Sequence, residues 1–211
     1  MSRGLFTLGP KIAELFRGYV ASWTLPQRLE PALLELRDRA AARAYAGMWA
    51  ADDLEITWVR GRRGASELQD VSPGFRGAAH ALAIGKVLLA TRPPLRWPSY
   101  LRQPRFPEYT PTTITSPGRL YEELADVRAK GYAVDVEEFA PDVCCVAAPV
   151  LDGSGRPLAA IAVSVGEKRY RRDVASLIRY VRETARTTSA LFTDLDPLRD
   201  VVTAIAAGQN P

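Results

Sequence analysis

The chain has 211 residues, 47% of them hydrophobic, and its 28 basic and 24 acidic residues give a net charge of +4. That length and composition support one domain with a buried core and exclude a disordered chain. The apolar runs fall far short of the roughly 20 residues that a membrane helix needs, and the start of the chain lacks the apolar core of a secretion signal. We therefore expect a cytoplasmic protein with no membrane partner, whose small and dispersed positive charge does not favour nucleic-acid binding.

Hydrophobic periodicity predicts helices at the start of the chain and a hairpin after them. Two helices are expected over residues 10–20 and 24–42, joined by a tight connection. Apolar residues then alternate over 44–49 and 54–59 on either side of a polar turn, a pattern typical of a β-hairpin. A third strand is predicted over 67–71.

The middle of the chain opens with a strongly apolar helix over residues 78–90, in which Lys86 is the only charge. Seven prolines then fall within residues 92–117, and this density forbids a long regular element there. Ser116 predicts the N-cap of the next helix, and Gly131 predicts its left-handed C-cap.

Three strands and two helices complete the chain. The strands are predicted over residues 132–139, 143–150 and 157–165, and the helices over 174–192 and 197–207. Hairpins outnumber strand–helix–strand crossovers in this order. The sequence therefore predicts an α+β fold, with helices grouped on the face of an antiparallel sheet as in sensor domains.

An acid, a thiol and a hydroxyl fall on three separate predicted strands, at Asp135, Cys145 and Ser164. If the strands hydrogen-bond side by side, an acid, a thiol and a hydroxyl meet on one face of the sheet, and converging polar groups of this kind typify small-molecule sites. Taken singly, each residue has a plainer interpretation. Asp135 fits a solvated strand edge, Cys145 a small buried hydrophobe, and Ser164 the cap of its strand.

The segment containing Gly77 and Ala78 enters the apolar helix. Free backbone N–H groups at a helix start can hold an anion such as a ligand carboxylate. Glycines before a helix are nevertheless more often required by the turn itself.

The sequence offers little for catalysis. His80 is the only histidine, no nucleophile elbow occurs, and no neighbour of Cys145 in the sequence would activate its thiol. One histidine and scattered acids lack metal-ligand spacing, and no phosphate-binding or dinucleotide motif appears. Adjacent cysteines on a strand point to opposite faces, so Cys144 and Cys145 are expected to be free thiols. We predict no catalytic residue, no metal and no cofactor.

Together these features resemble the effector-binding domain of the IclR family of bacterial transcription regulators, over residues 8–192. The segments that carry the resemblance are Gly77-Ala-Ala-His-Ala-Leu-Ala-Ile-Gly-Lys-Val-Leu-Leu-Ala90, Thr112-Thr-Ile-Thr115 before Leu120 and Leu124, Gly131-Tyr-Ala-Val-Asp-Val-Glu-Glu138, Cys145-Val-Ala-Ala-Pro-Val150 and Ile161-Ala-Val-Ser164. Their spacing matches the family as well as their composition.

The resemblance implies a GAF-like fold that binds a small organic acid and assembles into dimers or tetramers. It implies a ligand carboxylate on the backbone N–H groups of Gly77 and Ala78, with polar contacts from the side chains of Asp135, Cys145 and Ser164. The remaining pocket wall is expected from Leu82, Ile84, Met48 or Trp58, and Val146 or Ala162.

This mostly apolar wall predicts an effector with one acid group and an aromatic or short aliphatic body. Where the family often has a second serine in the last strand, this chain has Ala162. The missing hydroxyl disfavours a very small polar effector such as glyoxylate.

Members of the family carry a winged helix-turn-helix ahead of this domain, and residues 1–9 are too few to form it. We expect a linker-helix remnant at 1–23, the effector-binding domain at 24–193 and a helical tail at 194–211. DNA is then expected as a partner only through a winged helix-turn-helix absent from this chain. The chain is either a piece of a longer regulator or a natural stand-alone sensor.

The favoured interpretation is thus a sensing and oligomerising domain without catalysis. Self-association is expected through the first helices, where Phe16, Tyr19 and Trp23 cluster. Two alternatives stay open. One is an enzyme on a sensor-like scaffold that uses His80 and Cys145 on a carboxylated substrate, and the other is a pure dimerisation module.

Overall fold

The computed structural model describes residues 10–50, 53–61, 71–92, 97–102 and 105–192, without the side chains of residues 10–24, 98 and 99. The elements, in chain order, are α1 (Pro10–Ala40), β1 (Arg43–Ala50), β2 (Asp53–Arg60), α2 (Ala83–Ala90), α3 (Trp97–Leu101), α4 (Pro117–Lys130), β3 (Ala133–Val136), β4 (Val143–Leu151), β5 (Pro157–Gly166) and α5 (Glu167–Ala190). This order confirms the predicted α+β class.

The five described strands form one antiparallel sheet in the order β2-β1-β5-β4-β3. The predicted hairpin is confirmed, since β1 pairs with β2 from Ala44 opposite Arg60 to Ala50 opposite Asp53. Strand β5 lies at the centre of the sheet, between β1 and β4. Both faces of its middle are buried, from Ala159 to Val165.

Helices cover both faces of the sheet, which confirms the expected antiparallel sheet flanked by helices. On one face a core cluster joins α2, α3 and α4 to inward side chains of the strands such as Tyr45, Cys145 and Ala162. On the other face α1 and α5 pack over the alternate strand residues, among them Val146 and Val163. The alternation along each strand sorts its residues between two separate cores.

Helix α1 is continuous, so the prediction of two helices with a tight connection was wrong. Pro26 and Pro31 both lie inside it, although an internal proline removes a backbone hydrogen bond. The buried apolar stripe continues past both prolines, with Leu25, Leu29, Leu33 and Leu36 all buried. Burial of this stripe against the sheet offsets the cost of the prolines.

Helix α2 begins at Ala83 rather than at residue 78 as predicted. Gly77 and Ala78 have positive φ angles of 100° and 56°, and the chain then turns through residues 79–82 before the helix starts. Gly85 allows this turn to pack on the helix, because a Cβ there would lie 2.3 Å from the Cα of Ala79.

The predicted limits of α4 are confirmed. The Ser116 hydroxyl accepts a hydrogen bond from the Arg119 N–H, and Gly131 ends the helix with a φ of 74°. Strand β3 ends at Val136, three residues earlier than predicted, because Glu137 has a φ of 58° and turns the chain out of the strand.

Some predictions fall outside the described residues. These are the strand at 67–70, the segments at 1–9 and 194–211, and the side chains of Phe16, Tyr19 and Trp23. In the described part of the chain, no helix has both the length and the apolar character needed to cross a lipid bilayer.

Candidate functional site

The sheet register brings the three predicted polar residues into one row. Asp135 on β3 lies opposite Cys145 on β4, and Cys145 lies opposite Ser164 on β5. Directly paired residues point to the same face of a sheet. The expected juxtaposition of an acid, a thiol and a hydroxyl is therefore confirmed, while their role in binding a ligand stays a prediction.

Asp135 is fully buried rather than on a solvated edge. Its Oδ1 accepts the N–H of Glu138 at 2.7 Å, and its Oδ2 has no hydrogen-bond partner in the described part of the chain. Burial, followed by the negative charge of Glu138, raises the pKa of Asp135 to about 7, and Lys86 offsets only part of this rise. The carboxyl is therefore able to hold or release a proton near neutral pH.

The two neighbours of Asp135 in the row are equally buried. The Ser164 hydroxyl donates to the Tyr45 hydroxyl oxygen at 3.3 Å. Burial, followed by the charge of Asp135, raises the pKa of the Cys145 thiol well above its usual value. Cys145 therefore stays a neutral thiol, which suits contact with a ligand and not nucleophilic attack.

A small cavity lies between the sheet and the start of α2, and Cys145 is the member of the row that lines it, whereas Asp135 and Ser164 do not. Its volume is about 10 Å³, and its walls are Tyr45, Ile56, Val71, Leu82, Ala83, Ile84, Cys145 and Ala162. Leu82, Ile84 and Ala162 were expected in the pocket wall, and all three line this cavity. Met48, Trp58 and Val146 belong to the core on the opposite face, because the strand alternation points them away, and they are not part of this wall.

The loop that precedes α2 is less open to an anion than the sequence suggests. The N–H of Gly77 donates to the carbonyl of Leu54 at 3.1 Å, so this amide is already engaged. Ala78 adopts a left-handed φ, which is uncommon for a residue with a side chain and occurs often at functional sites. Carboxylate binding at this loop remains a prediction, and it rests on Ala78 more than on Gly77.

His80 is held in an aromatic cluster. Its Nε2 lies 2.9 Å from the Pro107 carbonyl oxygen and its Nδ1 lies 3.2 Å from the Tyr100 hydroxyl. The ring stacks on Phe106 and Tyr109, and burial lowers the pKa of the imidazole. Both nitrogens thus have hydrogen-bond partners, and neither is paired with a cysteine in the described part of the chain. The aromatic partners come from the proline-rich segment and were not predicted.

Lys86 forms a buried ionic cluster that the sequence reasoning missed. Its Nζ lies 2.6 Å from Glu138 Oε1 and 3.0 Å from Glu123 Oε1, and its side chain is 0% exposed. Burial alone would lower the pKa of this lysine, but the two glutamates outweigh it and the pKa is raised. The signal was present, since Lys86 is the only charge in its apolar helix.

Threonine hydroxyls fix the turn that follows β3. Thr110 donates to the carbonyl of Glu137 at 2.6 Å, and Thr113 donates to that of Glu138 at 2.6 Å. These bonds tie the proline-rich segment to the turn that orients Asp135 and Glu138. No group of three or more potential metal ligands occurs in the described ranges.

A larger surface groove, of about 690 Å³, lies between α5 and β4. Its walls include Arg179, Arg182 and Arg186 but none of the predicted site residues. We favour the small cavity over this groove as the ligand site because Cys145 lines the cavity and is paired with the buried Asp135 and Ser164.

Comparison with known proteins gives one family. The sequence profile described as "Bacterial transcriptional regulator IclR C-terminal" matches residues 20–190. The chain is 31% identical to the transcriptional regulator XynR of Escherichia coli, over 89% of this chain and 73% of XynR. It is 47% identical to the regulator BhcR of Paracoccus denitrificans over a shorter stretch, 44% of this chain and 33% of BhcR. These relatives are named as transcriptional regulators, not as enzymes.

Solved structures agree. The C-terminal domain of the E. coli regulator KdgR has a TM-score of 0.69 at 26% identity, with 79% of this chain and 97% of that chain covered. A putative regulator from Rhodococcus sp. RHA1 has a TM-score of 0.73 at 28% identity, with 87% of this chain and 74% of that chain covered. The fold is the GAF-like fold expected from the sequence. This chain therefore belongs to the IclR family of bacterial transcriptional regulators.

Proposed function

We propose that this chain is the effector-sensing and oligomerising part of an IclR-type regulator and binds a small organic acid beside Asp135, Cys145 and Ser164. The observation that carries the proposal is the buried Asp135 Oδ2, which has no partner in the described part of the chain. An unsatisfied buried carboxyl oxygen is costly. A hydroxyl group of an effector would satisfy it by donating a hydrogen bond.

The cavity limits what the effector can be. A space of about 10 Å³ holds at most one water molecule, so an organic acid must displace part of the wall. We propose that this part of the wall is Leu82 with Ala83 and Ile84 at the start of α2. Because most lining residues are apolar, we propose a mono-acid with a short aliphatic or aromatic body. Ala162 in place of a second serine makes glyoxylate a poor candidate.

A pair of matched ligands tests this site. Asp135→Ala should weaken binding of a hydroxylated acid by about 1–3 kcal/mol, the cost of leaving a buried partner unpaired, and weaken its deoxy analogue much less. Calorimetry with lactate and propionate, and with 3-hydroxybenzoate and benzoate, measures both losses. Asp126→Ala, on the exposed face of α4, is the control.

The possible outcomes separate the claims. Equal losses for both members of a pair would make Asp135 a structural residue. Failure of every carboxylate to bind would remove the proposed function. A metabolite that stays bound through gentle purification would exclude a pure dimerisation module.

The whole regulator's activity is part of the same proposal. Residues 24–193 would form the sensing domain in the bacterial cytoplasm, and DNA would be bound by a winged helix-turn-helix that this sequence does not include. Specific operator binding by these 211 residues in a gel shift at physiological salt would contradict this, whereas weak binding lost with salt would reflect phosphate attraction.

Self-association is proposed through the N-terminal helix and a sheet edge. Dimers or tetramers are expected, and the sequence pattern of Phe16, Tyr19 and Trp23 motivates the first of these surfaces. Sedimentation that gives a monomer at concentrations on the order of tens of micromolar would contradict it.

A further inference from the structure

The buried charges around Asp135 do not balance. Lys86 is the cation of the cluster, and it faces the carboxylates of Glu138, Glu123 and Asp135. Its Nζ is bonded to the two glutamates. The Glu138 N–H donates to Asp135 Oδ1, and the Phe139 N–H and the Cys145 thiol also interact with this carboxyl. Asp135 Oδ2 nevertheless makes no hydrogen bond in the described part of the chain.

The other titratable groups that face Asp135 do not supply the missing charge. Cys144 and Cys145 lie on β4, and Tyr170 lies on the first turn of α5. Burial raises the pKa of all three side chains, so each is neutral near pH 7. An ionised Asp135 would thus be a buried charge that Lys86 compensates only in part, and buried charges of this kind tend to take up a proton.

We propose that Asp135 meets an acidic effector in its protonated form, so that the site takes up an organic carboxylate together with one proton from solvent. This inference rests on the proposed function. The proton removes the repulsion between two buried anions, and the neutral carboxyl can still exchange a hydrogen bond with the effector's hydroxyl group. The proton comes from water or buffer and forms an O–H bond on Asp135, and no other covalent bond changes.

Lys86 is then a positioning residue for this site. Its ammonium group binds the carboxylates of Glu138 and Glu123. It thereby holds in place the turn at Glu138, whose backbone N–H donates to Asp135 Oδ1. It also lies close enough to Asp135 to lower the pKa of that carboxyl. The cluster therefore sets the pH range over which the site accepts an anion.

Calorimetry across pH tests the inference. We would titrate the whole chain with lactate, benzoate and 3-hydroxybenzoate, and with the amide of each, between pH 6 and 9. For any acid that binds, affinity should fall about tenfold per pH unit above the pH at which Asp135 is half-protonated in the free protein. Heats in two buffers of different ionisation enthalpy should show about one proton taken up per acid bound at pH 8. Amides should bind with a flat pH profile.

Variants give independent readouts. Asp135→Asn, whose amide donates like the protonated acid, should bind the acids without pH dependence and without proton uptake. Lys86→Met, if circular dichroism shows that it folds, should move the pH midpoint upward. The buffer comparison on the unmodified protein decides the question even if neither variant folds.

The outcomes are distinct. Acid binding with no proton uptake and no pH dependence would overturn the inference and leave the proposed function standing. Binding of amides but not of acids would also overturn it, since the site would then reject anions. If none of the acids or amides binds, the proposed function fails, and this inference fails with it.

Discussion

Replacing Lys86 with methionine should be among the most damaging single changes in this domain. The ammonium group is fully buried and lies 2.6 Å and 3.0 Å from two carboxylates. Removing one partner of a buried ion pair costs about 3–5 kcal/mol, because the other charge is left uncompensated. Domains are stable by only about 5–15 kcal/mol. We therefore expect Lys86→Met to remove a large share of the free energy of unfolding at pH 8.

The loss should depend on pH. Burial already raises the pKa of Glu138, and Lys86 counteracts that rise. Without Lys86 the folded-state pKa of Glu138 goes up further. A carboxyl group whose pKa is higher in the folded state than in the unfolded state favours folding when it is protonated. This favourable contribution is complete below the unfolded-state pKa and is lost as pH rises through the folded-state pKa. The variant should consequently be closer to the wild type at pH 5 than at pH 8.

Urea denaturation at both pH values measures the effect. Lys130→Met is the matched control, because Lys130 forms an ion pair of 2.6 Å with Asp126 but is 52% exposed, and exposed pairs contribute little. The double variant Lys86→Met with Glu138→Gln should recover part of the loss. The reasoning is refuted if Lys86→Met costs no more than Lys130→Met, or if its cost is the same at pH 5 and pH 8.

Three further predictions concern packing and protonation. Gly85→Ala should cost about 1–3 kcal/mol or more in urea denaturation, because the new Cβ would lie 2.3 Å from the preceding turn, whereas at Gly118 the nearest atom is 3.8 Å away and alanine should be tolerated. Asp135 has a folded-state pKa of about 7 against an ordinary 3.8, so its contribution to stability of about 4 kcal/mol should be lost between pH 4 and 7. Asp135→Asn should lack that loss. Cys144 and Cys145 are buried with raised pKa values, so both should react with iodoacetamide far more slowly in the folded protein than in urea.

Features set by neighbours in sequence were the ones predicted well. The limits of α4 follow from Ser116 and Gly131, and the hairpin of β1 and β2 follows from strict alternation around a polar turn. The row of Asp135, Cys145 and Ser164 could also be anticipated, because strands joined by short turns pair in antiparallel fashion. Each of these inferences needed only local signals.

Features set by distant residues were missed. The partners of Lys86 lie 37 and 52 residues further along the chain, so its lone charge could be noticed but not explained. The prolines of α1 mark a helix break by local rules, yet tertiary packing of the leucine stripe keeps the helix continuous. The start of α2 depends on the left-handed backbone at Ala78. An alanine gives no indication in the sequence that its φ angle will be positive.

The central claim is that an organic acid binds beside Asp135, Cys145 and Ser164, and backbone amide NMR tests it most directly. Titration with the tightest-binding acid of the calorimetric panel should shift the amide signals of Ala78, Cys145 and Ser164. It should leave those of Arg179 and Arg182, in the groove along α5, unchanged. Shifts confined to that groove, with the row on β3, β4 and β5 unaffected, would contradict the account.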